Sequence, residues 1–556
     1  MKHTLLYFFL GCSLLSCKSK TENTAEISET IVTEAKKPFA WEAANVYFLL
    51  TDRFNNGNTN NDINFGRDKE TAVLRGFKGG DIAGITQKIE DGYFTNLGIN
   101  AIWFTPVVEQ VHGAVDEGTG VTYGYHGYWT KDWTALDPNF GTYEELQKLV
   151  TTAHQNGIRI VMDVVLNHTG PVTDTDVFWG EDWARQQPQC TYDGYDATTL
   201  CTLVANLPDI KTESEKEVEL PAFLIEKWKK EGRYDAELEE LNSFFATSEL
   251  AKTPRNYIIK WLTDYIRDLG IDAFRVDTVK HVDEAAWSVM RTQADLAFAS
   301  WKNTNPDLVL DDNAFFMLGE VYNYNIGGGR DYDFGDQKVD YFAHGFDNLI
   351  NFQFKYDATG DYEQMFSSYD SILHTALKSK SVLNYATSHD DGQPFDKDRS
   401  KAYETGTKLL LTPGLSQVYY GDEIARNLTI PGADGDATLR GMMPWSQLDS
   451  TETKAILNHW QKLGTFRRDH LSVGAGRHKM LQEKPYVFSR TYSKNEINDA
   501  VVVGLDLPEG EKEIPVTPVF KDGETITDRY SGNTATVKNG KIYLNTAFTI
   551  VLLEKI

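Results

Sequence analysis

Four short segments place charge at the end of apolar runs. They are residues 163–168 (DVVLNH), 270–282 (GIDAFRVDTVKHV), 318–321 (LGEV) and 387–391 (TSHDD). In the second, Ile271, Ala273, Phe274 and Val276 form a strand-like apolar run, and Arg275, Asp277, Lys280 and His281 arrive where a strand gives way to a loop. Charge at a buried strand end is costly unless it is paired or used. A carboxylate beside an arginine stays ionised at neutral pH, as an aspartate nucleophile requires. An isolated Arg-x-Asp is more often a structural ion pair. Four such clusters in register on successive strands are hard to explain as structural pairs.

The elements that must position these clusters can be read from periodicity. Residues 46–51, 99–107, 159–166, 271–276, 315–321, 346–352, 382–387 and 415–420 have strand character. Helix-period segments at 143–156, 254–269, 285–302, 362–378 and 400–411 lie between many of them. Eight strands alternating with helices predict an α/β fold closed as a (β/α)8 barrel, whose catalytic groups gather at the carboxyl ends of the strands. The barrel is expected over 41–168 and 254–469. The connection after the third strand is too long for an ordinary loop, so residues 169–253 are read as an inserted subdomain, helical over 223–245. From 470 to 556 short alternating strands, including 486–492, 499–505 and 541–553, predict a C-terminal antiparallel β-sandwich.

Acidic residues number 81 against 55 basic in the 556-residue chain, a formal charge of -26 that disfavours nucleic acid and anionic lipid as partners. Aromatic residues make up 12%, a content that suits stacking against the apolar C–H faces of sugar rings as well as core packing. Residues 1–16 read as an export signal, with Lys2 and His3 before an apolar stretch too short to span a bilayer. Leu14, Leu15 and Ser16 before Cys17 resemble a bacterial lipobox, with Cys17 lipidated; the alternative is a plain secretory signal. Lys18 after that cysteine fits sorting to the outer membrane by resemblance to known lipoproteins, and residues 17–40 would be a flexible tether. Cys190 and Cys201 lie in one loop-like region, where an exported protein can oxidise them to a disulfide or leave two free thiols. A monomer is expected.

The four segments, in this order, resemble the α-amylase family of glycoside hydrolases, family 13. Residues 98–106 (GINAIWFTP), 207–210 (LPDI) and 413–422 (PGLSQVYYGD) extend the resemblance. It implies Asp277 as nucleophile, Glu320 as general acid/base and Asp390 as the carboxylate that grips substrate hydroxyls. A retaining glycosidase needs two carboxyl groups about 5 to 5.5 Å apart, one attacking the anomeric carbon and one protonating the leaving oxygen. Arg275 would keep Asp277 ionised, and the apolar run before Glu320 would favour its protonated form. By the same resemblance His168 and His389 donate hydrogen bonds to the sugar, Tyr128 stacks on it with His126 nearby, and Lys280 binds on the leaving-group side. Calcium is the implied cofactor, held by Asn167, Asp209 and the His281 backbone carbonyl, oxygen ligands that suit a hard cation. A second calcium site is expected at Asn56, Asn58, Asn61 and Asp62 with Gly79 and Asp81; a turn-rich Asn/Gly loop accounts for these residues equally well.

One departure from the family pattern is Ser388, where Asn is usual before His-Asp. His389 and Asp390 are spared. The set most resembles exported bacterial α-amylases, so the expected activity is retaining, endo-acting hydrolysis of α-1,4-glucans such as starch and maltooligosaccharides. The alternatives are a cyclomaltodextrin- or pullulan-degrading enzyme or a transglycosylase of the same family, and, outside it, a catalytically silent glycan-binding lipoprotein.

Overall fold

The computed structural model describes residues 38–494 and 496–555. The expectations for the signal, for Cys17 and for the tether up to residue 37 fall outside the described residues. Eight parallel strands close into a barrel in chain order: β1 (Asn45–Leu49), β2 (Ala101–Phe104), β3 (Arg159–Val164), β4 (Ala273–Val276), β5 (Phe316–Gly319), β6 (Asn348–Asn351), β7 (Ser381–Tyr385) and β8 (Leu415–Tyr419). Closure is made by β1, which pairs Val46 with Ala101 on one side and with Gln417 on the other. Every residue of β3, β4 and β5 is buried, as parallel strands covered on both faces require.

Local signals set the helix boundaries. Helix α1 (Tyr143–Gln155) opens on a capping box between Thr142 and Glu145. Helix α2 (Pro254–Leu269) starts with Pro254 and stops at Gly270, whose φ of 79° is left-handed. A Cβ there would lie 2.1 Å from the Trp301 ring, so both conformation and space demand glycine at the entry to β4.

The segment between β3 and α2 leaves the carboxyl end of the barrel and docks through indoles. Trp183 stacks on Trp261 of α2 with ring centroids 6.2 Å apart, and Trp133 Nε1 donates to the Val165 carbonyl at 2.8 Å. Cys190 and Cys201 are joined by a disulfide in this segment. Its helical part is two helices, Ala222–Glu231 and Tyr234–Ser248, rather than the single run read from sequence; Gly232 at φ 75° turns the chain between them.

The C-terminal strands form a six-stranded antiparallel sheet and a two-stranded antiparallel sheet. Val487, Val502 and Val551 of the larger sheet share a core with Ile514, Ile542 and Leu544 of the smaller. Neighbours Val501, Val503 and Leu552 belong instead to the barrel's core cluster, as the two-residue repeat of a strand dictates. The stretch read as one strand over 541–553 is two, Lys541–Thr546 and Val551–Lys555, paired with different partners.

Candidate active site

The polar clusters converge at the carboxyl ends of β3, β4, β5 and β7. Arg275, on β4 and 1% exposed, is the hub: its Nη1 lies 2.9 Å from Asp163 Oδ1 and 2.8 Å from Asp277 Oδ1, and its Nη2 3.0 Å from Glu320 Oε1. One planar guanidinium thus fixes three carboxylates from three adjacent strands. Just past β4, Thr278 adopts φ 49°, unusual for a β-branched residue, and its backbone N–H donates to Glu320 Oε2 at 3.0 Å. Both oxygens of Glu320 are therefore held. Burial nevertheless raises its pKa to about 8, against the pull of Arg275 and with the help of the Asp277 and Asp390 charges.

Asp163 is buried beneath this pair. Trp103 Nε1 donates to its Oδ2 at 3.0 Å and the Tyr128 hydroxyl to the same oxygen at 2.8 Å, while burial pushes its pKa up to about 7. Tyr128 is thereby oriented against His389, with ring centroids 5.4 Å apart and planes 23° from parallel. Asp390 is the counterweight to Glu320. Burial alone would raise its pKa, but His389, Arg440 and Arg275 outweigh that and hold it at about 2. Arg440 binds Asp390 directly and also reaches Asp436 Oδ2 at 2.6 Å. The site can thus present one carboxyl group in its acid form and another as a fixed anion, the division of labour of a general acid beside an anionic partner.

His126, His168 and His389 are all buried, and burial lowers each pKa, so all three are neutral at pH 7. His168 Nε2 lies 3.1 Å from the Tyr128 carbonyl, and the Tyr128 N–H donates to His126 Nδ1 at 3.1 Å. Lys280 Nζ donates to the Tyr322 carbonyl at 3.3 Å and to the Tyr332 hydroxyl at 3.0 Å. His126, His168, Tyr128, Lys280, Tyr322 and Tyr332 line a cleft of about 730 Å3 with Asp277, Glu320, Asp390 and Arg440, and the buried His389 meets it through Asp390.

The implied metal ligands fall into two places away from the carboxylate hub. One terminal atom of the Asn167 amide lies 2.9 Å from the His281 carbonyl oxygen and 3.3 Å from Asp209 Oδ1. Turned one way, the amide donates to both; turned the other, three oxygens converge with no proton among them, the donor set of a hard cation. The second Asp209 oxygen is buried 2.9 Å from Arg185 Nε. The His281 ring faces away from these oxygens, its Nδ1 2.8 Å from the Thr198 carbonyl. In the N-terminal loop, Asn56 Oδ1 and both terminal atoms of the Asn61 amide are buried without a hydrogen-bond partner, Asn56 Nδ2 donates to Asp62 Oδ1 at 2.8 Å, and a Cβ on Gly79 would meet those two atoms at 2.4 and 2.7 Å. Orphaned buried oxygens around so tight a cradle fit a cation. Asp81 is already committed, accepting from the N–H groups of Gly57, Asn58 and Gly84 as a helix N-cap. Asn58 Oδ1 accepts from the Asn60 N–H at 3.2 Å. Among the described residues, no three His, Cys, Asp or Glu side chains form a metal cage, so either site depends on amide and carbonyl oxygens.

Sequence reading brought together Asp277, Glu320, Asp390, Arg275 and the histidines; the structure places the three carboxylates, His126 and His168 on one cleft, with Arg275 and His389 buried against those carboxylates. It gave no role to Asp163, Thr278, Tyr332 or Arg440. Asp163 was visible in DVVLNH, but Arg440 lies at the end of the short 3-10 helix Gly435–Arg440 without any motif to mark it.

A parallel eight-stranded barrel with these carboxylates at its mouth fits a glycoside hydrolase, and the chain belongs to the α-amylase family: the family's α-amylase catalytic domain matches residues 48–470. The periplasmic α-amylase of Escherichia coli (strain K12) is 35% identical over 538 residues, covering 86% of this chain and 74% of that protein. A cyclomaltodextrin glucanotransferase of Bacillus sp. (strain 6.6.3) is 26% identical, covering 89% of this chain and 64% of its own length. Among solved structures, an Anoxybacillus α-amylase shares the fold with a TM-score of 0.64 at 22% identity, covering 93% of this chain and 99% of that one.

Proposed function

We propose that the protein is a retaining, endo-acting α-1,4-glucan hydrolase that cleaves starch and maltooligosaccharides. The observation that carries the reading is the shared Arg275 guanidinium, which holds Asp277 and Glu320 side by side while burial keeps Glu320 protonated. In this account Asp277 attacks the anomeric carbon as Glu320 protonates the leaving oxygen. Water, deprotonated by Glu320, then releases the sugar from Asp277. Asp390 grips substrate hydroxyls, with His168 and His389 as neutral donors and Tyr128 as the stacking face beside His126. Lys280 contacts the leaving-group side.

Calcium is the proposed structural cation. Asn167, Asp209 and the His281 carbonyl would hold one ion; Asn56, Asn58, Asn61, Asp62, Gly79 and Asp81 would hold a second. The first ion would tie the insertion to the barrel, and neither would take part in the chemistry. Export as an outer-membrane lipoprotein anchored through Cys17 agrees with the periplasmic relative. Among the described residues no helix is long and apolar enough to cross a membrane.

A transferase reading is favoured by one observation, the similarity to cyclomaltodextrin glucanotransferases. Incubation with soluble starch tests the main proposal: new reducing ends are expected, and Asp277→Ala abolishes them while still melting cooperatively. Starch bound but uncut by the wild type points to a silent binding protein, and substantial residual activity in the variant means the nucleophile is another residue.

A further inference from the structure

The Cys190–Cys201 disulfide closes a short loop of the insertion, and that loop supports two of the three groups whose oxygens converge at Asn167. Thr198 and Leu200, just ahead of Cys201, each offer a backbone carbonyl to one of these supports. The Thr198 carbonyl lies 2.8 Å from Nδ1 of His281. A carbonyl can only accept, so the imidazole proton sits on Nδ1. Burial keeps this ring neutral. The bond fixes the ring and with it the His281 backbone, whose own carbonyl lies 2.9 Å from the Asn167 amide. Tyr192, two residues after Cys190, sets its ring edge-on to His281 with centroids 6.0 Å apart. The Leu200 carbonyl accepts from Arg185 Nη1 at 3.4 Å, and Arg185 Nε lies 2.9 Å from the second oxygen of Asp209. Asn167, Asp209 and His281 are all buried, so their oxygens point where these contacts direct them. The neck of the loop is also held by the Cys190 N–H, which donates to the Thr202 carbonyl at 2.9 Å, so opening the bridge loosens the loop without releasing it.

We propose that the disulfide-closed loop positions the ligands at Asn167, Asp209 and His281, so that the bridge and the bound cation stabilise one another; this rests on the calcium reading above. The groups that hold a ligand in direction govern metal affinity nearly as strongly as the ligand itself. Coupling of this kind is reciprocal: whatever factor the open bridge takes from the ion's affinity, the bound ion takes from the ease of opening the bridge. Opening is a two-electron exchange with a dithiol. One thiolate sulfur of the reagent attacks a cysteine sulfur, and the Sγ–Sγ bond breaks with its electron pair leaving on the other cysteine, which takes up a proton. The second thiol of the reagent then displaces the first cysteine as a thiol and leaves as a cyclic disulfide.

The test is calcium affinity, read by titration calorimetry on the whole protein in three states. These are the wild type with its bridge intact, the folded wild type reduced by dithiothreitol with its thiols counted, and the double variant Cys190→Ser, Cys201→Ser. Asn167→Ala identifies which binding step belongs to this site. That step is expected to weaken about tenfold in both bridge-free states, the scale of a lost supporting contact. His281→Phe keeps the backbone carbonyl but loses the ring's bond to Thr198; it should weaken the step by itself, yet add no more than about twofold on top of the serine variant. Reciprocally, saturating calcium should raise about tenfold the ratio of reduced to oxidised dithiothreitol that opens half of the bridges. An unchanged affinity in a bridge-free protein that melts cooperatively overturns the coupling, as does a weakened step that persists in Asn167→Ala. Losses from His281→Phe and the serine variant that multiply in full overturn the route through His281. A wild type that binds no calcium overturns the cation reading beneath it.

Discussion

Replacing Glu320 by Gln should abolish turnover and yet stabilise the protein at alkaline pH. The carboxyl is only 10% exposed, and burial raises its pKa from 4.5 to about 8. For an acid shifted upward, the folded state holds its proton more tightly than the unfolded one. Between pH 4.5 and 8 the folded state therefore binds more protons, and stability falls as pH rises through that window. Taken at face value, that rise corresponds to a ceiling of about 5 kcal/mol. A neutral amide removes this penalty. It also sets an N–H2 group against the Thr278 N–H, which now donates to Glu320 at 3.0 Å, a loss of ~1–2 kcal/mol. The net expectation is a variant ~2–4 kcal/mol more stable than wild type at pH 9 and level with it or slightly weaker at pH 4. Paired thermal melts from pH 4 to 9 read this as a gap in Tm that opens with pH. A gap of constant size would mean that Glu320 titrates normally, and the assignment of the acid would lose its physical basis.

Arg440→Met removes a cation that helps hold Asp390 at about 2, so the acid limb of kcat/KM should move up by about 1–2 units; an unmoved limb would mean that Asp390 does not act as an anion. His470 lies between Asp499 and Glu554 at 2.8 and 2.6 Å; burial would lower its pKa, but the two acids raise it to about 9. Its contribution, ~3 kcal/mol, is full below pH 6.5 and lost as pH rises through 9, so the stability gap between wild type and His470→Ala should shrink over that window rather than widen. Exhaustive EDTA treatment should lower Tm, because an ion bound only by the native state stabilises it; an unchanged melt after confirmed metal removal would refute the calcium sites.

The barrel was legible because buried parallel strands are near-continuous apolar runs, and those of β3, β4 and β5 end in carboxylates that announce where the strand stops. Strand limits were read too long, as at 315–321 against Phe316–Gly319, because pairing ceases where the chain turns to aim Glu320 into the cleft. Asp277, Glu320 and Asp390 were legible because each belongs to a short, locally ordered motif. Arg440 was not, because it reaches Asp390 from 50 residues further along the chain, and only folding brings the two together. Asp163 stood in plain view, but its role as the buried acid beneath Arg275 and Tyr128 depends on the register of β3 against β4, which pairs Arg275 with Asp163.

The central claim is that Asp277 carries the sugar between the two half-reactions. It is tested most directly by mass spectrometry of the protein after brief exposure to a fluorinated α-glucosyl fluoride, which forms the glycosyl ester faster than water removes it. The account predicts one hexosyl adduct, mapped to the peptide containing Asp277 and absent from Asp277→Ala. An adduct on another residue, or cleavage of starch with inversion and no adduct, would contradict it.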